Sequence, residues 1–256
     1  MNTTASVRKT VKLAYGRVAK KSESCCSGSA CCGHTAGKAV EGELGLSCGD
    51  PVAFSKVKKA MTVVDLGSGA GKDVFLAATI AGLKGRVIGV DMTPEMLRLA
   101  KRNLDKFTAR TGLSNVEFRK GIIEKLPVEN DEADLVISNC VINLSPDKPA
   151  VFREAFRALK SGGKLVVSDI VLNRALPPKL KKDMGLYAAC VAGALLRDDY
   201  IAAIKQAGFA KIKTLSDRVY SAGAAGLDPI TSKTGKMLEG AASSLTIEAV
   251  KPVRRK

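Results

Sequence analysis

The chain has 256 residues, a formal net charge of +16, 46% hydrophobic and 4% aromatic residues, and no tryptophan. Its length suits one large domain or a core with a small appendage, and no run approaches the ~20 apolar residues of a membrane span. The positive excess lies in the flanks, but with so few aromatics and no recognition motif it reads as a basic solvated surface, so neither nucleic acid nor membrane is an expected partner.

In chain order, Val7 to Ala19 is an amphipathic run that predicts a helix. Ser22 to Glu43 predicts a mobile segment rich in Gly, Ser and Cys, so that residues 1–43 stand apart from a core over 44–172 and an extension over 173–256. The opening residues lack the apolar stretch of a secretory signal, which leads to the expectation of a cytoplasmic protein. There thiols stay reduced, so the seven cysteines are read as ligands, nucleophiles or packing groups rather than disulfides.

Thr62 to Leu66 predicts a first strand, Asp73 to Ala81 a helix, and Arg86 to Asp91 a second strand. Thr93-Pro94 opens a helix to about Arg110, since Thr can cap it and Pro suits the first turn. Strands follow at Val116 to Arg119 and Ala133 to Ser138, then a helix from Pro149 to Leu159 stopped by Ser161-Gly162-Gly163, then a strand at Lys164 to Ser168. Helices are expected over Pro177 to Leu195 and Asp198 to Ala207, with late strands at Lys211 to Leu215 and Leu245 to Val250 added antiparallel at an edge. The alternation predicts an α/β fold with a doubly wound, mostly parallel sheet.

Asp65-Leu-Gly-Ser-Gly-Ala-Gly71 joins a strand to a helix through glycines that let backbone approach a ligand. Asp91, 20 residues beyond Gly71, ends the next strand where a carboxylate accepts hydrogen bonds from ribose hydroxyls. The glycines alternate instead of following Gly-x-Gly-x-x-Gly, and a carboxylate beside the loop disfavours pyrophosphate and suits a ligand with a positive amino group. Cys140 follows the fourth strand, in a place where this kind of fold presents reactive side chains. Its thiol could attack, bind a soft ion or pack; Asn139, Cys140 and Asn143 include no obvious general base, and the single histidine, His34, is far off in the Cys-rich segment.

The loop from Asp65 to Gly71 resembles motif I of the class I S-adenosylmethionine-dependent methyltransferases, whose sheet is Rossmann-like. Five stretches, Leu44 to Pro51, Val64 to Gly71, Val87 to Met96, Ile137 to Lys148 and Cys190 to Leu195, are similar to the short microbial type of arsenite methyltransferase. The chain carries Ser47 and Asp50 where that family commonly has Gly and Asn. The resemblance implies S-adenosylmethionine as cofactor, held by Asp65, Gly67, Ser68, Gly69, Gly71, Asp91, Met92, Ile123, Glu124 and Asn139. It also implies that Cys48, Cys140 and Cys190 bind As(III), with a C-terminal cap region contributing to that site. Soft trivalent arsenic prefers thiolates, and three of them leave its lone pair outward. The expected substrate is arsenite or its thiol conjugate, the expected reductant thioredoxin or glutathione, and the expected state a monomer.

The Cys25-Cys26 and Cys31-Cys32 pairs, with His34, leave three readings open: an arsenic capture site, adventitious zinc, or a redox-accessible tail. Two other functions also remain: a small-molecule C- or O-methyltransferase of the quinone-precursor type, and a non-catalytic metalloid or zinc binder.

Overall fold

The computed structural model describes residues 3–25, 41–44, 46–47, 49–219 and 240–253. Its centre is a seven-stranded sheet in the order β3-β2-β1-β4-β5-β7-β6. β1 (Thr62–Leu66), β2 (Arg86–Asp91), β3 (Val116–Lys120), β4 (Ala133–Asn139) and β5 (Leu159–Leu172) run parallel, while β7 (Ala242–Val250) pairs antiparallel with both β5 and β6 (Ala210–Val219). β1 is buried on both faces apart from its first position, as a parallel strand covered by helices on both sides must be.

The helices start and stop where local chemistry dictates. Asp50 accepts the Ala53 amide at 2.9 Å and opens the short α2 (Pro51–Ser55), which the sequence reading did not include. The glycine turn feeds α3 (Lys72–Ala81). Pro94 starts α4 (Pro94–Thr111), and left-handed Gly112 ends it, its amide bonding Thr108 O. Asp147 caps α5 (Lys148–Ala158) by accepting the Ala150 amide at 3.0 Å.

One core packs α5 and α8 (Arg197–Gln206) on one face of the sheet, and another packs α2, α3 and α4 on the other. Phe75 anchors the second, stacked on Phe107 at 4.9 Å and edge-on to Phe118 at 5.8 Å. A third apolar cluster gathers Val11, Cys140, Leu186 and Cys190 beneath α1 (Thr4–Cys25) and α7 (Met184–Ala188).

Four expectations are corrected. The Ser161-Gly162-Gly163 stop is not a helix terminus: α5 ends at Ala158, and β5 begins at Leu159 and runs through both glycines, with a register shift against β4. Expected as five residues, β5 has 14, because β7 pairs with it from Lys164 to Leu172. The single helix expected over Pro177 to Leu195 is broken into α6 (Pro178–Lys181) and α7, because Asp183 turns its carboxylate onto the Gly185 and Leu186 amides and starts the chain afresh. Finally, α1 extends to Cys25, into the stretch expected to be mobile. No described helix is long and apolar enough to cross a membrane.

Candidate functional site

The strand order reverses direction between β1 and β4, so the turn after β1 and the residues after β4 face each other across one crevice, where open α/β sheets bind ligands. The crevice brings together Asp65, Gly67, Ser68, Gly69, Asp91, Met92, Ile123, Glu124 and Asn139, with Cys140 on its wall. Gly71 is absent from that lining. Its φ of +100° and missing Cβ serve packing, since a Cβ there would lie 2.6 Å from Phe75 Cε2 and 2.9 Å from Phe118 Cζ.

Gly67 and Gly69 have φ of +68° and +52°. A Cβ on Gly69 would meet nothing within 4 Å, so the backbone there borders open space. Asp91 stiffens the turn from below, accepting the Gly69 amide at 3.0 Å on one oxygen and the Thr93 amide at 2.7 Å on the other. Burial pushes Asp91 above the ordinary carboxylate range, and those amides pull it partly back. Asp65 is pushed well up, chiefly by burial and then by the neighbouring Asp73 and Asp91 carboxylates. Asp73 is raised by burial, offset in part by the Asn139 amide. Three buried acids around one turn form an environment that a cationic ligand relieves.

On the opposite wall, Asn139 Nδ2 reaches Ser47 Oγ at 2.8 Å, Gly49 O at 3.0 Å and Asp73 Oδ2 at 3.0 Å. The departures at Ser47 and Asp50 therefore have local work: Ser47 accepts from Asn139 and donates to Gly49 O at 2.6 Å, and Asp50 caps α2. Cys48 itself lies outside the described residues, as do Cys26, Cys31, Cys32, His34 and the side chain of Cys25.

Cys140 adopts φ +59° and its amide bonds Ser168 O at 2.9 Å. Cys190 arrives from the other direction. Its amide bonds Tyr187 O at 3.0 Å and the Val191 amide bonds Leu186 O at 2.9 Å, the paired bonds of a Schellman motif ending α7. Cys190 has φ +62° and so holds the left-handed position where glycine is the usual residue. The two cysteines meet: Cys190 Sγ donates to Cys140 O at 2.8 Å. Cys190 is buried at 4% exposure and Cys140 at 6%. Non-glycine residues persist in this backbone region where surroundings force them, often at functional sites. The expectation of reduced thiols fails for Cys140, which is disulfide-bonded. Among the described residues no group of three or more His, Cys, Asp or Glu is placed to hold a metal ion.

Sequence reasoning missed a buried polar group behind the cysteines. Lys148 Nζ donates to Ser145 O at 2.9 Å, Tyr187 Oη donates to the same oxygen at 3.1 Å, and Tyr200 Oη donates to Asp169 Oδ2 at 2.7 Å. The one available signal was a single charge, Asp169, inside the apolar run Leu165 to Leu172. Burial pushes Asp169 up to about 7 against the pull of Tyr200 and Lys148, and pushes Lys148 down to about 8 against the pull chiefly of Asp169. An acid whose folded value is raised contributes stability that is lost as pH rises from its unfolded value near 4 through 7. A lysine whose folded value is lowered contributes stability that is regained between about 8 and 10.5. Denaturant midpoints of the native chain are thus expected to fall between pH 4 and 7 relative to those of Asp169→Asn. Parallel pH profiles for the two proteins would contradict this.

Residues 57–221 match the family model described as a methyltransferase domain. The chain belongs to the methyltransferase family. This methyltransferase is 46% identical over 171 residues to the arsenite methyltransferase of Halobacterium salinarum, covering 67% of this chain and 43% of that protein. It is 40% identical over 152 residues to the human arsenite methyltransferase, covering 57% and 40%. It therefore spans less than half the length of these curated relatives. Among solved structures, an arsenic(III) S-adenosylmethionine methyltransferase from Chlamydomonas reinhardtii superposes with a TM-score of 0.66 at 35% identity, covering 80% of this chain and 67% of that one.

Proposed function

We propose that this methyltransferase transfers the methyl group of S-adenosylmethionine to trivalent arsenic held by Cys48, Cys140 and Cys190, turning arsenite or its thiol conjugate into methylated arsenicals. The observation that carries the reading is the meeting of Cys140 and Cys190, sulfur to carbonyl oxygen at 2.8 Å, beside a crevice whose other wall is the glycine turn with its buried acids.

The residues present fit the cofactor. Asp65 and Asp73 suit its cationic amino-acid end, and Gly69 leaves room for it. Each Asp91 oxygen already accepts one amide and keeps lone pairs for ribose hydroxyls. Ser68 Oγ is buried without a partner among the described residues, so a polar ligand atom can satisfy it. Met92 and Ile123 offer apolar walls for an adenine ring, with Glu124 at its edge. When bound, S-adenosylmethionine supplies an electrophilic methyl group.

The chain's own residues then need to hold and aim the acceptor. Thiolates bind As(III) tightly and direct its lone pair away from the sulfurs, which makes alignment in a near-attack pose the main task. Such an acceptor needs no general base. Methylation oxidises arsenic by two electrons, and a thiol pair that becomes a disulfide returns them. Cys140 as found is in the disulfide state, so it must be reduced before it can bind arsenic. A thiol reductant such as thioredoxin or glutathione, a cytoplasmic setting and a monomeric chain complete the proposal.

The test is to incubate the protein with arsenite, S-adenosylmethionine and a thiol reductant and to separate the arsenic species by chromatography. Methylated arsenic is expected in proportion to enzyme; none at any protein level overturns the proposal.

A further inference from the structure

The N-terminal helix lies over both halves of the site, and nothing in the motifs of the core accounts for it. Arg8, Val11 and Tyr15, three or four residues apart on one face of α1, line the crevice. Arg8 Nη2 pairs with Glu124 Oε1 at 3.3 Å, on the side where the cofactor's base is proposed to lie. Tyr15 looks toward the cysteines: its hydroxyl is 3.8 Å from Cys190 Sγ and 3.5 Å from Ala188 O. Its ring packs against two apolar clusters, one holding Cys140 and Cys190, the other Ala70 of the glycine turn with Met96 and Leu99 of α4.

We propose that Tyr15 is a positioning residue of the thiol site: its hydroxyl orients the Cys190 sulfur, and its ring closes the space above that sulfur to water. The inference rests on the arsenic-methylating reading of the same site. In the structure the Cys190 thiol donates to Cys140 O, so its sulfur is held by its own hydrogen. A sulfur bound to arsenic has lost that hydrogen and can only accept. Tyr15 is the hydroxyl placed to donate to it, and its present carbonyl contact at 3.5 Å is long enough to be given up at little cost. Groups behind a ligand fix its orientation and typically contribute 10–100-fold to affinity.

Tyr15→Phe keeps the ring and removes only the hydroxyl. Arsenic binding to the reduced full chain is read by equilibrium dialysis against arsenite alone, and cofactor binding is read separately by calorimetry. The expected result is a roughly tenfold or greater weakening of arsenite binding, a raised KM for arsenite, and unchanged S-adenosylmethionine affinity and melting temperature. A structural role confined to docking α1 would move the melting temperature or the cofactor affinity instead, and that pattern overturns the proposal. Tyr15→Leu, which also removes the ring, is expected to weaken arsenite binding further and provides the second measurement if Tyr15→Phe is expressed poorly. Native arsenite affinity in both variants sinks the role of Tyr15 and leaves the methylation reading standing. Failure of the reduced native chain to bind arsenite overturns both.

Discussion

Cys190→Ser is expected to lose arsenic methylation by more than about 100-fold, since groups merely behind a ligand already contribute up to that much. Serine preserves the shape of the site and can still donate to Cys140 O, but it replaces a soft sulfur with a hard oxygen that trivalent arsenic binds poorly. The backbone makes a second variant informative. Because Cys190 holds the left-handed residue of a Schellman motif, Cys190→Gly relieves backbone strain there while removing the sulfur. Both variants are expected to bind S-adenosylmethionine as the native chain does, because Cys190 does not line the crevice that contains the glycine turn. Arsenic speciation beside a cofactor-binding isotherm decides the matter, and full turnover in either variant would remove Cys190 from the reaction.

Gly67→Ala is expected to cost both stability and activity. At φ +68° an alanine bears about 1–2 kcal/mol of strain, and its Cβ would lie 2.7 Å from Val141 Cβ and 3.0 Å from Val141 Cγ1. Relieving that overlap adds about 1–3 kcal/mol. For a chain of this size the sum lowers the melting temperature by roughly 5–15 °C. Val141 follows Cys140 directly, so pushing it aside moves a proposed arsenic ligand as well as the cofactor turn. Gly69→Ala is the control: with nothing within 4 Å of its Cβ, only the backbone strain remains, although the methyl group would enter the crevice. Equal melting temperatures for the native chain and Gly67→Ala would refute the packing argument.

The parts of this molecule that could be read in the sequence are those whose causes are local. The alternation of strands and helices up to β4, the glycine turn and Asp91 depend on short-range spacing, and the structure places them as expected. The antiparallel character of the last two strands was also legible, but not that β7 would lie inside β6, because that order is decided by pairing across about 80 residues. The same long-range pairing lengthened β5 beyond its expected end. Gly71 looked like part of a ligand loop because a glycine's spacing does not reveal whether it clears a cofactor or, as here, two phenylalanine rings. Lys148 and Tyr15 sit on amphipathic helices where a polar residue reads as solvent-facing, and only the tertiary fold turns them inward. A cysteine in a glycine's backbone position, as at Cys190, leaves no mark in the sequence at all.

The place of β7 also bears on how the chain is made. Synthesis delivers β1 to β5 first, and at that stage the free side of β5 exposes a 14-residue edge whose last eight residues are all destined for burial. β6 emerges next but has no hydrogen-bonding partner among the earlier strands, because its neighbour in the finished sheet is β7 alone. The edge of β5 is therefore sealed only once Val250 has left the ribosome, and β6 can dock only after that. A ribosome stalled between residues 172 and 242 would hold a nearly complete sheet with an adhesive border, which makes the nascent chain, more than the finished protein, the state most in need of a chaperone.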